Sequence, residues 1–296
     1  MKLPVLAAGL LSGCLSFQSG TVPGAPPDAT YAEIDGVRMR YEDSGGAGPA
    51  VVMLHGFASS LETWDDVVPA LAPSFRVVTL DLKGFGYSER PEGDYSPGAE
   101  AKLVLGLMDR LGIAQTSVVA HSWGSSVALA LALAAPERVT KLALYDAWVY
   151  ADQLPTFFLW ARVAGLGEAM FWLWYAERAD ERMDLAFYDP ANATEDMAEA
   201  IDSYMDKPGS VAAALAAVRG QQFEELEPRY REIEAPTLLL WGREDRVVPV
   251  AVGERLSREV PHSRLVVYPR CGHFPMVEAA AASTAELLSF LQEEAP

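Results

Sequence analysis

Ser122 stands in the run Ala120-His121-Ser122-Trp123-Gly124, where a β-branched stretch, Ser117 to Ala120, gives way to the helical pattern Trp123 to Ala134. A serine held on a strained strand-to-helix turn needs small residues two before and two after it, because larger Cβ groups would collide with neighbouring backbone. The helix opening at Trp123 points unpaired N–H groups and its positive dipole end toward the hydroxyl, which favours an oxyanion developing there. A serine alone is a poor nucleophile and requires a base. The chain offers four histidines. His121 lies inside the turn and is expected to point away from Ser122. His262, in Val260-Pro261-His262-Ser263, reads as a surface residue, and His55 belongs to the loop after the apolar run Ala50 to Leu54. His273, in Cys271-Gly272-His273-Phe274-Pro275, follows the last β-branched run, Arg264 to Tyr268. Loops at the carboxyl ends of parallel strands are where such sheets place chemistry, so His273 is the expected base. Its neighbour Cys271 reads as a small buried packing residue.

A carboxylate must hold the imidazole tautomer and stabilise the imidazolium formed when Ser122 loses its proton. Asp245 and Glu244, in Trp241-Gly242-Arg243-Glu244-Asp245, and Asp146, after the run Val139 to Leu144, are the candidates.

The elements that must position these groups are legible as a pattern. Val37 to Tyr41 alternates in strand fashion after Asp35-Gly36, which predicts a β-hairpin. Continuously apolar runs follow, Ala50 to Leu54, Phe75 to Leu80, Ser117 to Ala120 and Val139 to Leu144, as expected of strands buried on both faces. Helical stretches, Leu61 to Leu71, Pro97 to Leu111 and Trp123 to Ala134, separate them, so a parallel sheet follows. The alternation stops at about Ala147 and resumes with Pro236 to Trp241. The insertion is mostly helical in pattern and carries Phe157, Phe158, Trp160, Phe171, Trp172, Trp174 and Tyr175. Arg162, Glu168, Glu177 and Arg178 interrupt it, which argues against its dipping into a membrane.

Five segments in this order resemble the α/β-hydrolase family. The nucleophile turn resembles G-x-S-x-G with Ala120 in place of the first glycine; His55-Gly56-Phe57 resembles the oxyanion segment H-G-x; Asp81 to Ser88 resembles D-x-x-G-x-G-x-S, a tight structural turn; the Asp245 and His273 loops complete the set. The resemblance implies an α/β fold with a mostly parallel central sheet flanked by helices and an inserted helical cap. It favours Asp245 as the acid, since the family runs Ser, Asp or Glu, His in chain order. It implies an oxyanion hole made by the backbone N–H groups of Phe57 and Trp123, whose side chains are left to line the pocket. No metal and no organic cofactor is implied. Serine, where some relatives carry aspartate, excludes epoxide opening and halide displacement. The expected substrate is a small or medium apolar carboxylic ester cleaved through an acyl-enzyme. An aminopeptidase of the prolyl iminopeptidase type, suggested by Ser122-Trp123-Gly124-Ser125, and a carbon–carbon bond hydrolase are the alternatives; a ligand-binding module that has lost its chemistry is the reading outside enzymes.

Met1-Lys2 followed by the apolar run Leu3 to Leu11 reads as an export signal, too short to span a bilayer as a mature helix. Its end, Leu11-Ser12-Gly13-Cys14, resembles a bacterial lipobox, which implies cleavage before Cys14, lipidation of its thiol, and residence in the cell envelope, in the outer membrane where there are two. The expected organisation is a signal peptide over 1–13, a flexible tether over 14–30, hydrolase core over 31–147, cap over 148–228 and core again over 229–296. A formal net charge of −18 argues against nucleic acid and anionic membrane surfaces as electrostatic partners.

Overall fold

The computed structural model describes residues 15–175 and 185–293. The signal segment and Cys14 lie outside the described residues. The backbone forms one eight-stranded sheet in the order β1-β2-β4-β3-β5-β6-β7-β8. β1 (Thr30–Ile34) and β2 (Val37–Asp43) make the antiparallel hairpin at the edge, and Asp35 and Gly36 both take positive φ in its two-residue turn. β3 (Ala50–Leu54), β4 (Arg76–Leu80), β5 (Thr116–His121), β6 (Val139–Tyr145), β7 (Thr237–Gly242) and β8 (Ser263–Tyr268) pair in parallel.

The two-residue period of a strand sorts side chains onto two apolar layers. On one face Val52, Leu54, Val118 and Ala120 meet the helices Pro97–Arg110 and Trp123–Ala134. On the other Val51, Met53, Val119 and Leu240 meet Trp64, Leu71 and the closing helix Ala280–Gln292. Central strands buried on both faces cannot shift register without moving apolar side chains out of one layer, which fixes the strand ends that carry the site.

Two expectations change. The stretch Leu61 to Leu71 is not one helix but a 3-10 turn, Leu61–Trp64, and a single α-turn, Val68–Leu71. Asp81 Oδ1 accepts from the Leu61 amide at 2.8 Å and pins its start. Pro69 has no N–H to continue a helix begun there. The stretch expected to be a flexible tether lies along the core in its described part. Gln18 and Arg90 exchange backbone hydrogen bonds of 2.8 and 3.0 Å, Phe17 stacks on Tyr95, and Val22 is buried.

Between β6 and β7 the chain leaves the sheet and builds the helical cap. Its described helices include Thr156–Ala161, Leu166–Met170, Glu195–Met205 and Ser210–Gly220. Phe171, Ala161, Leu215 and Val218 form its own apolar cluster.

Candidate active site

Ser122 takes φ 50° and ψ −124° at the junction of β5 with the helix Trp123–Ala134. Such a conformation in a residue with a side chain costs on the order of 1–3 kcal/mol and persists only where its surroundings over-determine it. Here Ser122 N–H donates to Tyr145 O at 2.9 Å, and its own carbonyl accepts from Trp148 N at 3.1 Å and Ser125 N at 2.9 Å. Gly124 is required because a Cβ there would stand 2.4 Å from the His55 carbonyl oxygen. The turn and the loop after β3 are pressed together, backbone on backbone.

Ser122 Oγ lies 2.9 Å from His273 Nε2, and His273 Nδ1 lies 2.8 Å from Asp245 Oδ2. The carboxylate can only accept, so Nδ1 carries the hydrogen and the Nε2 lone pair faces the serine hydroxyl, which donates. The other Asp245 oxygen accepts from the amides of Val247 and Val248 at 2.7 and 2.9 Å, which fixes the carboxylate plane. All three side chains are buried.

The rival carboxylates go elsewhere. Glu244 accepts from the Cys271 amide at 3.0 Å and so holds the histidine loop. Asp146, at φ 43°, accepts from the Gly242 amide at 2.9 Å through Oδ1. Asp146, Asp245 and His273 offer ligand atoms within 4.8 Å of one another, a metal-like spacing. Burial and then the charge of Asp245 push the Asp146 carboxyl well above the usual carboxylate range. The ligand atoms are already engaged within the chain, His273 with Ser122 and Asp245 and Asp146 with the Gly242 amide.

Several supports were not legible as such in the sequence. The His273 amide donates to Ala186 O at 2.6 Å, and Glu278 accepts from the amides of Gly272, Tyr188 and Asp189 at 2.6, 3.0 and 3.0 Å, clipping the histidine loop to the cap. A carboxylate five residues after His273 was its only signal. His121 contacts His273 as well: its Nε2–H donates to the His273 carbonyl at 2.8 Å, and the two rings lie 4.7 Å apart. Burial, then the neighbouring His273, lowers the His121 pKa well below the ordinary imidazole range, so it braces the histidine loop without adding a charge. His262 is exposed, and Cys271 is a buried free thiol whose pKa burial raises.

The loop after β3 is clamped by His55. Its Nδ1–H donates to Gly56 O at 2.7 Å, and its Nε2 accepts from the Leu82 amide at 2.9 Å. The Gly56 carbonyl and the Phe57 N–H belong to one trans peptide and point in opposite directions. Gripping the first therefore aims the second. The Gly56 Cβ position lies 3.1 Å from Ser122 Cβ, so this peptide runs beside the serine. Burial lowers the His55 pKa from 6.5 to about 4. Below pH 6.5 the unfolded chain takes a proton at His55 that the folded chain refuses until about pH 4, so stability is lost as pH falls through that window. About 2.5 pK units correspond to roughly 3 kcal/mol. Urea unfolding of wild type should therefore lose more stability between pH 7 and pH 4 than that of His55→Asn; parallel curves would contradict this origin.

Phe57, on the loop after β3, faces aromatic side chains of the cap. Phe57 meets Phe158 of the cap at 5.7 Å between ring centroids, and Phe158 meets Trp148 at 6.0 Å. Trp123, expected to line the pocket, is instead fully buried against Phe85 at 5.4 Å. Ser122 keeps only 7% of its surface accessible. Phe158 thus closes the space over Phe57. Phe158→Ala is expected to admit bulkier substrates, raising the ratio of kcat/KM for a large over a small substrate by about fivefold or more relative to wild type.

Residues 49–280 match the sequence family described as alpha/beta hydrolase fold. A 2-hydroxy-6-oxononadienedioate/2-hydroxy-6-oxononatrienedioate hydrolase of Paraburkholderia xenovorans (strain LB400) is 32% identical over 266 residues, covering 86% of this chain and 91% of the relative. Among solved structures, the meta-cleavage product hydrolase from Pseudomonas fluorescens IP01 superposes with a TM-score of 0.77 at 26% identity, over 88% of this chain and 97% of that one. A thermophilic esterase from Thermogutta terrifontis gives 0.77 at 25% identity, over 90% and 98%. The chain belongs to the α/β-hydrolase fold family, and it is a hydrolase.

Proposed function

We propose that the chain hydrolyses apolar carboxylic esters through an acyl-enzyme, with Ser122 as nucleophile, His273 as general base and Asp245 as the acid that orients it. The hydrogen-bonded line from Ser122 Oγ through His273 to Asp245 carries this reading. His273 takes the hydroxyl proton as Ser122 attacks the carbonyl, the Phe57 and Trp123 N–H groups receive the oxyanion, and the imidazolium gives its proton to the leaving alkoxide. A water deprotonated by His273 then releases the acid. An apolar substrate is favoured by the aromatic contacts of Phe57 with Phe158 and of Phe158 with Trp148.

A second reading, cleavage of a carbon–carbon bond in a dienedioate, is favoured by the names of the similar hydrolases. Wild type and Ser122→Ala are to be assayed against p-nitrophenyl esters of two to eight carbons, a proline arylamide, and a ring-cleavage dienoate followed by loss of its conjugated absorbance. Ester turnover that Ser122→Ala abolishes supports the first reading. Dienoate turnover without ester turnover selects the second, and arylamide turnover alone selects the aminopeptidase.

The same proposal places the enzyme at the bacterial envelope through a lipidated Cys14, with residues 14–30 leading to the domain. Cys14→Ser is expected to move the protein to the soluble fraction; unchanged membrane residence would reject the anchor.

A further inference from the structure

From Thr156 to Leu173 the chain carries two charged side chains, Arg162 and Glu168. Both turn back into the cap. Arg162 Nη2 donates to the Gln221 carbonyl, and Glu168 is bridged by Arg219 at 2.8 and 3.0 Å. With these charges withdrawn, the outer face of the segment presents Leu159, Trp160, Val163, Leu166, Trp172 and Leu173, each 44–56% exposed. Large apolar side chains grouped in this way mark a surface that meets another phase or partner.

The inner face of the same segment says which. Phe157, Phe158, Ala161 and Phe171 pack in the cap cluster, and Leu15, where the described chain begins, packs against that cluster too. A lipidated Cys14, the residue before Leu15, would therefore be tied to the chain at the cluster whose outer side is this exposed face. An acyl anchor at Cys14 followed by a docked segment, rather than a free tether, holds the cap close to the lipid.

We infer that the outer face of residues 156–173 lies in the interfacial layer of a lipid bilayer, with Trp160 and Trp172 at the level of the headgroups. For its occupant this rests on the anchored reading above. Of the four charges read from sequence as an obstacle to membrane contact, Arg162 and Glu168 are held by Gln221 and Arg219, and Glu177 and Arg178 lie outside the described residues. The net charge of −18 selects a zwitterionic over an anionic surface. An apolar ester would then reach Phe158 and Ser122 from the lipid side.

The test uses the full lipidated chain on phosphatidylcholine vesicles whose acyl chains carry bromine, which quenches tryptophan on contact. Trp64, Trp123, Trp148 and Trp241 are buried and Trp160 and Trp172 are open to solvent; Trp174 is replaced by phenylalanine in every chain compared, so that the readout rests on Trp160 and Trp172. With Trp160 and Trp172 in place, emission is expected to be quenched, and Trp160→Phe/Trp172→Phe to lose at least about half of that quenching, with turnover of a soluble ester unchanged. If the chain floats with the vesicles but is not quenched, or if quenching survives the double substitution, the inference is overturned while the anchor stands. If Cys14→Ser also floats and the wild-type chain carries no acyl mass at Cys14, the anchor reading fails, while the quenching comparison still decides the surface. If Leu159→Ser/Leu173→Ser lowers the sedimenting mass of the Cys14→Ser chain without lipid, the face is a contact between copies and the inference is overturned.

Discussion

Asp245→Asn is expected to lower kcat for the chain's substrate by on the order of 10⁴, and Asp146→Asn to stay within about tenfold of wild type. The two carboxyls sit at the ends of adjacent strands, β7 and β6, and share the same buried space. Their hydrogen bonds separate them. Asp245 accepts from His273 Nδ1. An asparagine there can present an N–H to Nδ1, which turns the imidazole to the tautomer whose Nε2–H faces Ser122 and cannot take its proton. Asp146 accepts from the Gly242 amide, and burial and Asp245 disfavour its charge, so asparagine supplies a neutral group that keeps the acceptor oxygen. Steady-state rates for both variants, with circular dichroism to establish folding, check this. Equal losses would assign the orienting role to the pair.

Ser122→Ala and His273→Ala should each lower kcat by on the order of 10⁵ to 10⁶, and the double variant should be no slower than either. The hydroxyl and the imidazole act as one unit, so removing the second partner takes nothing further away. The residual rate reflects binding and the oxyanion donors, whose individual loss costs about 3–4 kcal/mol of transition-state stabilisation. Additive losses in the double variant would mean that the two residues act in separate steps.

Much of the sheet was legible because its strands are short, β-branched and buried on both faces: Ala50–Leu54 is the expected run to the residue, and the others begin or end within about one or two. What failed depends on contacts distant in the chain. Leu61 to Leu71 has a helical pattern, and only the carboxylate of Asp81 and the ring of Pro69 divide it. The stretch after Cys14 has the composition of a tether, yet Phe17 and Val22 find apolar places and Gln18 finds the backbone of Arg90.

The site shows the same division. The serine turn is local, since strand, small residues and helix start adjoin in sequence, and the loop of His273 follows from its position after the last strand. Choosing among Asp146, Glu244 and Asp245 is not local: all three stand at strand ends, and only the packed backbone of β6, β7 and the 271–273 loop decides which oxygen meets Nδ1. Likewise Arg162 and Glu168 look like solvent charges until Gln221 and Arg219 are brought beside them.

The most direct measurement is covalent labelling by a fluorophosphonate with identification of the modified peptide. The proposed mechanism predicts one modification, on Ser122, that is lost in Ser122→Ala and strongly slowed in His273→Ala. Wild type that stays unlabelled, or that reacts equally after Ser122→Ala, would contradict it.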